Sequence, residues 1–156
     1  MEAFVFNQDR VHFARHDAAR MRETAEYYLS LGNAQQAGPI LQQSLRIDPQ
    51  SSKTHCMLGN AYLAVGALDK AESELKTALQ LNSKYWDAQL SLAQVNAKRN
   101  QPREAISQLE SIVQENPGYI QSYRALAQVY QTFHLDSTKA SYYLQRYNEI
   151  TTGISR

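Results

Sequence analysis

A chain of 156 residues with 43% hydrophobic content is long enough to bury a core and short enough to form a single structural unit. Its 16 Lys and Arg against 15 Asp and Glu leave a formal net charge of +1, so no general field attracts nucleic acid or an anionic membrane surface. With one cysteine, Cys56, there is neither an intrachain disulfide nor a cysteine-based zinc site, and with no basic leader and no run near the ~20 apolar residues of a membrane span, a cytoplasmic protein without membrane insertion is expected.

Residues 1–17 carry an apolar cluster, Phe4, Val5, Phe6, Val11 and Phe13, outside the register of the remaining chain. This N-terminal segment reads as a helix that caps the rest of the chain or docks on a second subunit. His12 and His16 are four apart with Asp9 and Asp17 nearby, but two histidines make a weak metal site, and no metal or cofactor is expected.

From Ala18 the chain repeats itself. Ala37, Ala71 and Ala105 are spaced by 34 residues, as are Leu41, Leu75 and Leu109, and Pro49, Ser83 and Pro117 fall at turns between the units. The units start at Ala18, Ser52, Trp86 and Ile120, giving repeats at about 18–51, 52–85, 86–119 and 120–154 within a single domain, 18–152. In the second unit Leu58, Tyr62 and Val65 share one helical face, Leu68, Ala71, Leu75, Ala78 and Leu79 share another, and Gly66 lies between as a turn. Two amphipathic helices on a tight turn form an antiparallel pair, and the small residues Gly59 and Ala71 let their backbones approach.

The other units vary this plan. The first keeps Ala25, Tyr28, Gly32, Ala37 and Leu41 in register, but Gly38-Pro39 predicts a second helix that starts late or kinks. The third has Asn96 where the others have Tyr28, Tyr62 and Tyr130, and its Pro102 suits the first residue of a second helix. In the fourth, Ala140 comes one residue late, which predicts an extra residue in the turn around 135–138. Its last helix, with Tyr142, Tyr143, Leu144, Tyr147 and Ile150, predicts an apolar, tyrosine-rich edge, and a homodimer through that edge or through the N-terminal segment is expected.

Leu58-Gly59, Tyr62, Ala71, Leu75 and Ala78, repeated at this spacing, resemble the tetratricopeptide repeat. The resemblance implies an all-α, right-handed superhelical solenoid of antiparallel helix pairs. It also implies a non-catalytic interaction module in which the first helix of each repeat lines a concave groove that holds a peptide or helix of a partner protein. In this register the groove residues are Arg22, Glu26, Lys53, Cys56, Asn60, Asp87, Leu90, Gln94, Lys98, Arg124 and Gln128. Asn60, Gln94 and Gln128 recur every 34 residues as amides that both donate to and accept from a peptide backbone; the competing reading is a set of ordinary solvated polar residues. Tyr28, Tyr62 and Tyr130 read as packing aromatics.

The clamp with which some members of the family grip a C-terminal carboxylate is absent. Arg22 fits it, but Glu26, Met57, Asp87 and Ser91 replace the required amides and cations, and a start one repeat later, at Cys56, Asn60, Ser91, Gln121 and Ala125, fails as well. His55 and Cys56 are neighbours that diverge by about 100° on a helix, so they form no base and nucleophile pair. No glycine-rich phosphate loop and no HExxH sequence occurs. The alternative function is structural, in an assembly such as those of bacterial pilus or secretion-system biogenesis, acting through the ends and convex face.

Overall fold

The computed structural model describes residues 2–153, with side chains from His16 onward. Among these the chain forms eight α-helices: α1 (Glu2–Ser30), α2 (Ala34–Ile47), α3 (Ser52–Ala64), α4 (Leu68–Leu81), α5 (Trp86–Lys98), α6 (Pro102–Glu115), α7 (Ile120–Thr132) and α8 (Ser137–Thr152). They divide into two compact units, Met1–Ser83 with α1 to α4 and Lys84–Arg156 with α5 to α8.

In the first unit α1 packs on α2, α3 on α4, and α2 on α3. Its core joins Ala25, Ala37 and Leu41 to Met57, Leu58 and Ala61. Gly59 explains how closely α3 and α4 approach: a Cβ there would lie 2.7 Å from Leu75 Cγ and 3.3 Å from the Ala71 carbonyl oxygen. Buried Ser44 donates a 3.0 Å hydrogen bond to the Ala18 carbonyl, tying α2 to α1. Helix α1 runs without a break from Ser30 back to Glu2, so the stretch before Ala18 belongs to the first helix of this unit. The cluster of Phe4, Val5, Phe6, Val11 and Phe13, and His12 with Asp9, lie outside the described side chains.

The expectation of a late or kinked α2 needs correction as to its start. The helix begins at Ala34, where the Asn33 side chain accepts the Gln36 N–H at 3.2 Å, and it continues through Pro39 to Ile47. Proline forfeits only the bond to the carbonyl four residues back. That residue, Gln35, is exposed, as is Pro39, so water satisfies the carbonyl and the ring meets no neighbour.

The turns inside the pairs share one geometry. Three residues separate α1 from α2, α3 from α4 and α5 from α6, whereas four separate α7 from α8, which is the extra residue expected from the spacing. Asp136, in that longer turn, caps α8 by accepting the N–H groups of Thr138 and Lys139 at 2.9 and 3.0 Å. Each turn contains one left-handed residue: Gly32 at φ 73°, Gly66 at 78°, Asn100 at 61° and His134 at 50°. These positions are 34 residues apart, so the turn demands positive φ even where the sequence supplies no glycine. A side chain in this region costs ~1–2 kcal/mol, partly offset by the greater freedom of glycine in the unfolded chain. His134→Gly is therefore expected to stabilise the protein by about 0.5–1 kcal/mol, read as a raised midpoint in thermal unfolding.

In the second unit α5 packs on α6, α7 on α8, α6 on α7, and α5 also touches α7. Ala93, Ala105, Leu109, Ile112, Leu126, Val129 and Tyr130 form its core, and Pro102 is the first residue of α6. Where the other pairs have a tyrosine, Asn96 donates a 2.9 Å hydrogen bond to Gln108 Oε1, replacing an aromatic contact between the paired helices with a polar one.

Candidate functional site

The touching faces of α5 and α7 enclose a cavity of about 440 Å³. Small side chains create it: Ala93 and Ala97 on α5 and Ala125 on α7 leave space that Leu109 from α6 closes below and Val129 and Phe133 close at the side. Around this apolar floor stand Gln94 and Lys98 from α5 and Gln128 and Thr132 from α7. The residues of each pair on one helix are four apart, which places them on one face. Arg124, one turn before Gln128, is exposed on the same side of α7.

Among the described residues Gln94, Lys98, Arg124 and Gln128 form neither a hydrogen bond nor an ion pair. No carboxylate lines the cavity. The arrangement thus offers two amides and two cations beside an apolar hollow, without internal competition for a partner's groups.

The remaining predicted groove residues of this unit are otherwise engaged. Asp87 accepts the Tyr119 hydroxyl at 2.5 Å, and Leu90 packs against the core and is only partly exposed.

The first unit contrasts with the second. Arg22 pairs with Asp48 at 3.9 Å and Glu26 with Lys53 at 3.6 Å. Asn60 is half-buried and donates to Cys56 Sγ at 3.9 Å. Cys56, expected among the groove contacts, is 2% exposed and does not present its side chain to a partner, because α3 is buried on most of its circumference, from Thr54 to Leu63. His55, bonded to Glu74 Oε2 at 2.7 Å and to the Pro49 carbonyl at 3.0 Å, is a structural tie between α3, α4 and the preceding turn. Among the described residues no group of three or more His, Cys, Asp or Glu is placed to hold a metal ion, and no helix is long and apolar enough to cross a membrane.

Sequence reasoning found the polar rim and missed the floor. Ala97, Ala125, Thr132 and Phe133 carry no chemistry that singles them out, and only the approach of α5 to α7 gives them a common role.

The sequence profile of the tetratricopeptide repeat family matches residues 28–78 and 62–130, more than half of the chain. The chain belongs to the tetratricopeptide repeat family. Among curated proteins it is 29% identical to human (Homo sapiens) Superkiller complex protein 3 over 115 residues, 74% of this chain and 7% of that protein. It is 36% identical to Heat shock protein STI1 of Saccharomyces cerevisiae over 86 residues, 53% of this chain and 15% of that protein. The chain thus spans a small fraction of the length of the curated relatives it matches.

Solved structures show the same fold. MamA superimposes with a TM-score of 0.70 at 23% identity, covering 88% of this chain and 80% of MamA. The first tetratricopeptide domain of Spaghetti (RPAP3), bound to the HSP90 peptide SRMEEVD, superimposes with a TM-score of 0.68 at 19% identity, covering 76% of this chain and 97% of that domain. The all-α tetratricopeptide solenoid class expected from the repeat is the fold class of this protein.

Proposed function

We propose that this tetratricopeptide domain is a non-catalytic interaction module that holds an extended segment of another protein across α5 and α7. The unengaged amides and cations around the α5–α7 cavity carry this reading. An apolar side chain of the segment fills the cavity, its main chain pairs with Gln94 and Gln128, and a carboxylate on it meets Lys98 or Arg124. Burying one leucine-sized side chain contributes ~1.5–3 kcal/mol, which alone is too little for specific binding. The polar rim supplies the rest. Among its structural neighbours, the two RPAP3 domains are complexed with HSP90 and HSP70 peptides, which supports a peptide as the kind of ligand.

Affinity capture from the native cell extract tests the reading by comparing the wild type with Gln94→Ala combined with Gln128→Ala. Both side chains are exposed, so folding is expected to be unaffected. A protein retained by the wild type and lost from the variant is the expected result, and equal retention by both would move binding away from this face.

A further inference from the structure

The four helix pairs treat one position differently. Leu41, Leu75 and Leu109 stand at equivalent places in α2, α4 and α6 and are 0%, 0% and 1% exposed. Leu144 holds that place in α8 and is 40% exposed. Three residues further on, Ser44, Ala78 and Ile112 are all fully buried, while Tyr147 is only partly so. The inward side of α8 is nevertheless fixed. Ala140 is buried, and Tyr143 stacks on Tyr130 at 5.9 Å and donates to Glu110 Oε1 at 3.2 Å. Burial, and then the nearby Glu110 carboxylate, push the Tyr143 phenol above its ordinary range, so it remains the neutral donor. Leu144 is therefore turned outward while its own helix pair is complete.

Within each unit the structure shows what seals this position elsewhere. Leu41 is covered by Met57, Leu58 and Ala61 of α3. Leu109 and Ile112 are covered by Ala125, Leu126 and Val129 of α7. Both covers are helices with Met or Ala, then Leu, then Ala or Val, at positions i, i+1 and i+4.

We infer that the outer face of α8 is a second docking surface, which takes an amphipathic helix of another protein bearing this same stripe. The face continues the packing seen between α2 and α3 and between α6 and α7. It is also electrically quiet: Arg146 and Glu149 beside it neutralise each other at 2.8 Å. A second copy of the chain does not offer the matching helix. The stripes of α3 and α7 are buried in their own units, and the equivalent positions of α1 are Glu23, Thr24 and Tyr27, all exposed and two of them polar or charged.

The probe is a fluorescein-labelled peptide with the sequence of α7, Ile120–Thr132, held helical by a lactam between positions 124 and 128, both exposed in the protein. It is titrated by fluorescence anisotropy into the protein at its full native length. Saturable binding is expected, weakened at least tenfold by Leu144→Glu in the protein and equally by Leu126→Asp in the peptide. Leu144 is already partly exposed, so its variant is expected to fold, and circular dichroism checks this. Absence of saturable binding, or equal binding to Leu144→Glu, overturns the inference. So does a wild-type dimer in sedimentation that Leu144→Glu dissolves, since a second copy would then occupy the face.

Discussion

Ala71→Glu is expected to lower the stability of the protein by several kcal/mol and to cost the first helical unit most of its cooperativity. Ala71 is 0% exposed in α4, and its carbonyl lies 3.3 Å from the place a Cβ on Gly59 would occupy, so the two backbones leave no room for a longer side chain. A carboxylate there would lose its water without gaining a partner, and an unpaired buried charge costs several kcal/mol. A domain of ordinary stability has only about 5–15 kcal/mol in total. The control is Lys70→Glu, one residue away but exposed, for which a change within about 0.5 kcal/mol is expected. Thermal unfolding followed by far-ultraviolet circular dichroism reads both. An unchanged midpoint for Ala71→Glu would contradict the packing of α3 on α4.

The second large effect concerns binding and leaves stability alone. Lys98→Glu combined with Arg124→Glu is expected to weaken the captured partner at least tenfold, about 1.4 kcal/mol, and to flatten the dependence of affinity on salt. Neither cation has a partner among the described residues, so reversing them removes no internal contact and the melting temperature should hold. Arg22→Glu with Lys53→Glu provides the comparison. Those cations already face Asp48 and Glu26, in pairs whose own contribution is small at an exposed surface. Their reversal is expected to leave affinity nearly unchanged, and isothermal titration with the purified partner separates the two cases.

The fold was highly legible because repetition multiplies a weak signal. A single Ala or Leu says little, but Ala37, Ala71 and Ala105 at one spacing, with Leu41, Leu75 and Leu109 in step, fix which faces meet. The delayed Ala140 likewise announced the longer turn before α8. The same periodicity contained a signal that the residue types concealed: Gly32 and Gly66 share their turn geometry with Asn100 and His134, which do not look like glycine substitutes. Pro39 misled for the opposite reason. Its type argues for a delayed helix, yet an exposed carbonyl at Gln35 makes the lost hydrogen bond inexpensive.

The candidate site was legible only in part. Helical register identifies residues on an outward face, which brought out Gln94, Lys98 and Gln128, but register alone cannot tell which outward residues are already engaged. Asp87, Arg22, Glu26 and Lys53 have partners that depend on packing between helices, and Cys56 is enclosed because α3 has neighbours on nearly every side. The cavity floor requires the approach of α5 to α7, a property of two helices that no residue of either reveals.

Hydrogen exchange on this chain, free and with the captured protein bound, tests the central claim most directly. The account predicts slowed exchange in α5 around residues 94–98 and in α7 around 124–132, with α1 and α2 unchanged. Slowed exchange confined to the first unit, with α5 and α7 exchanging as in the free protein, would contradict it.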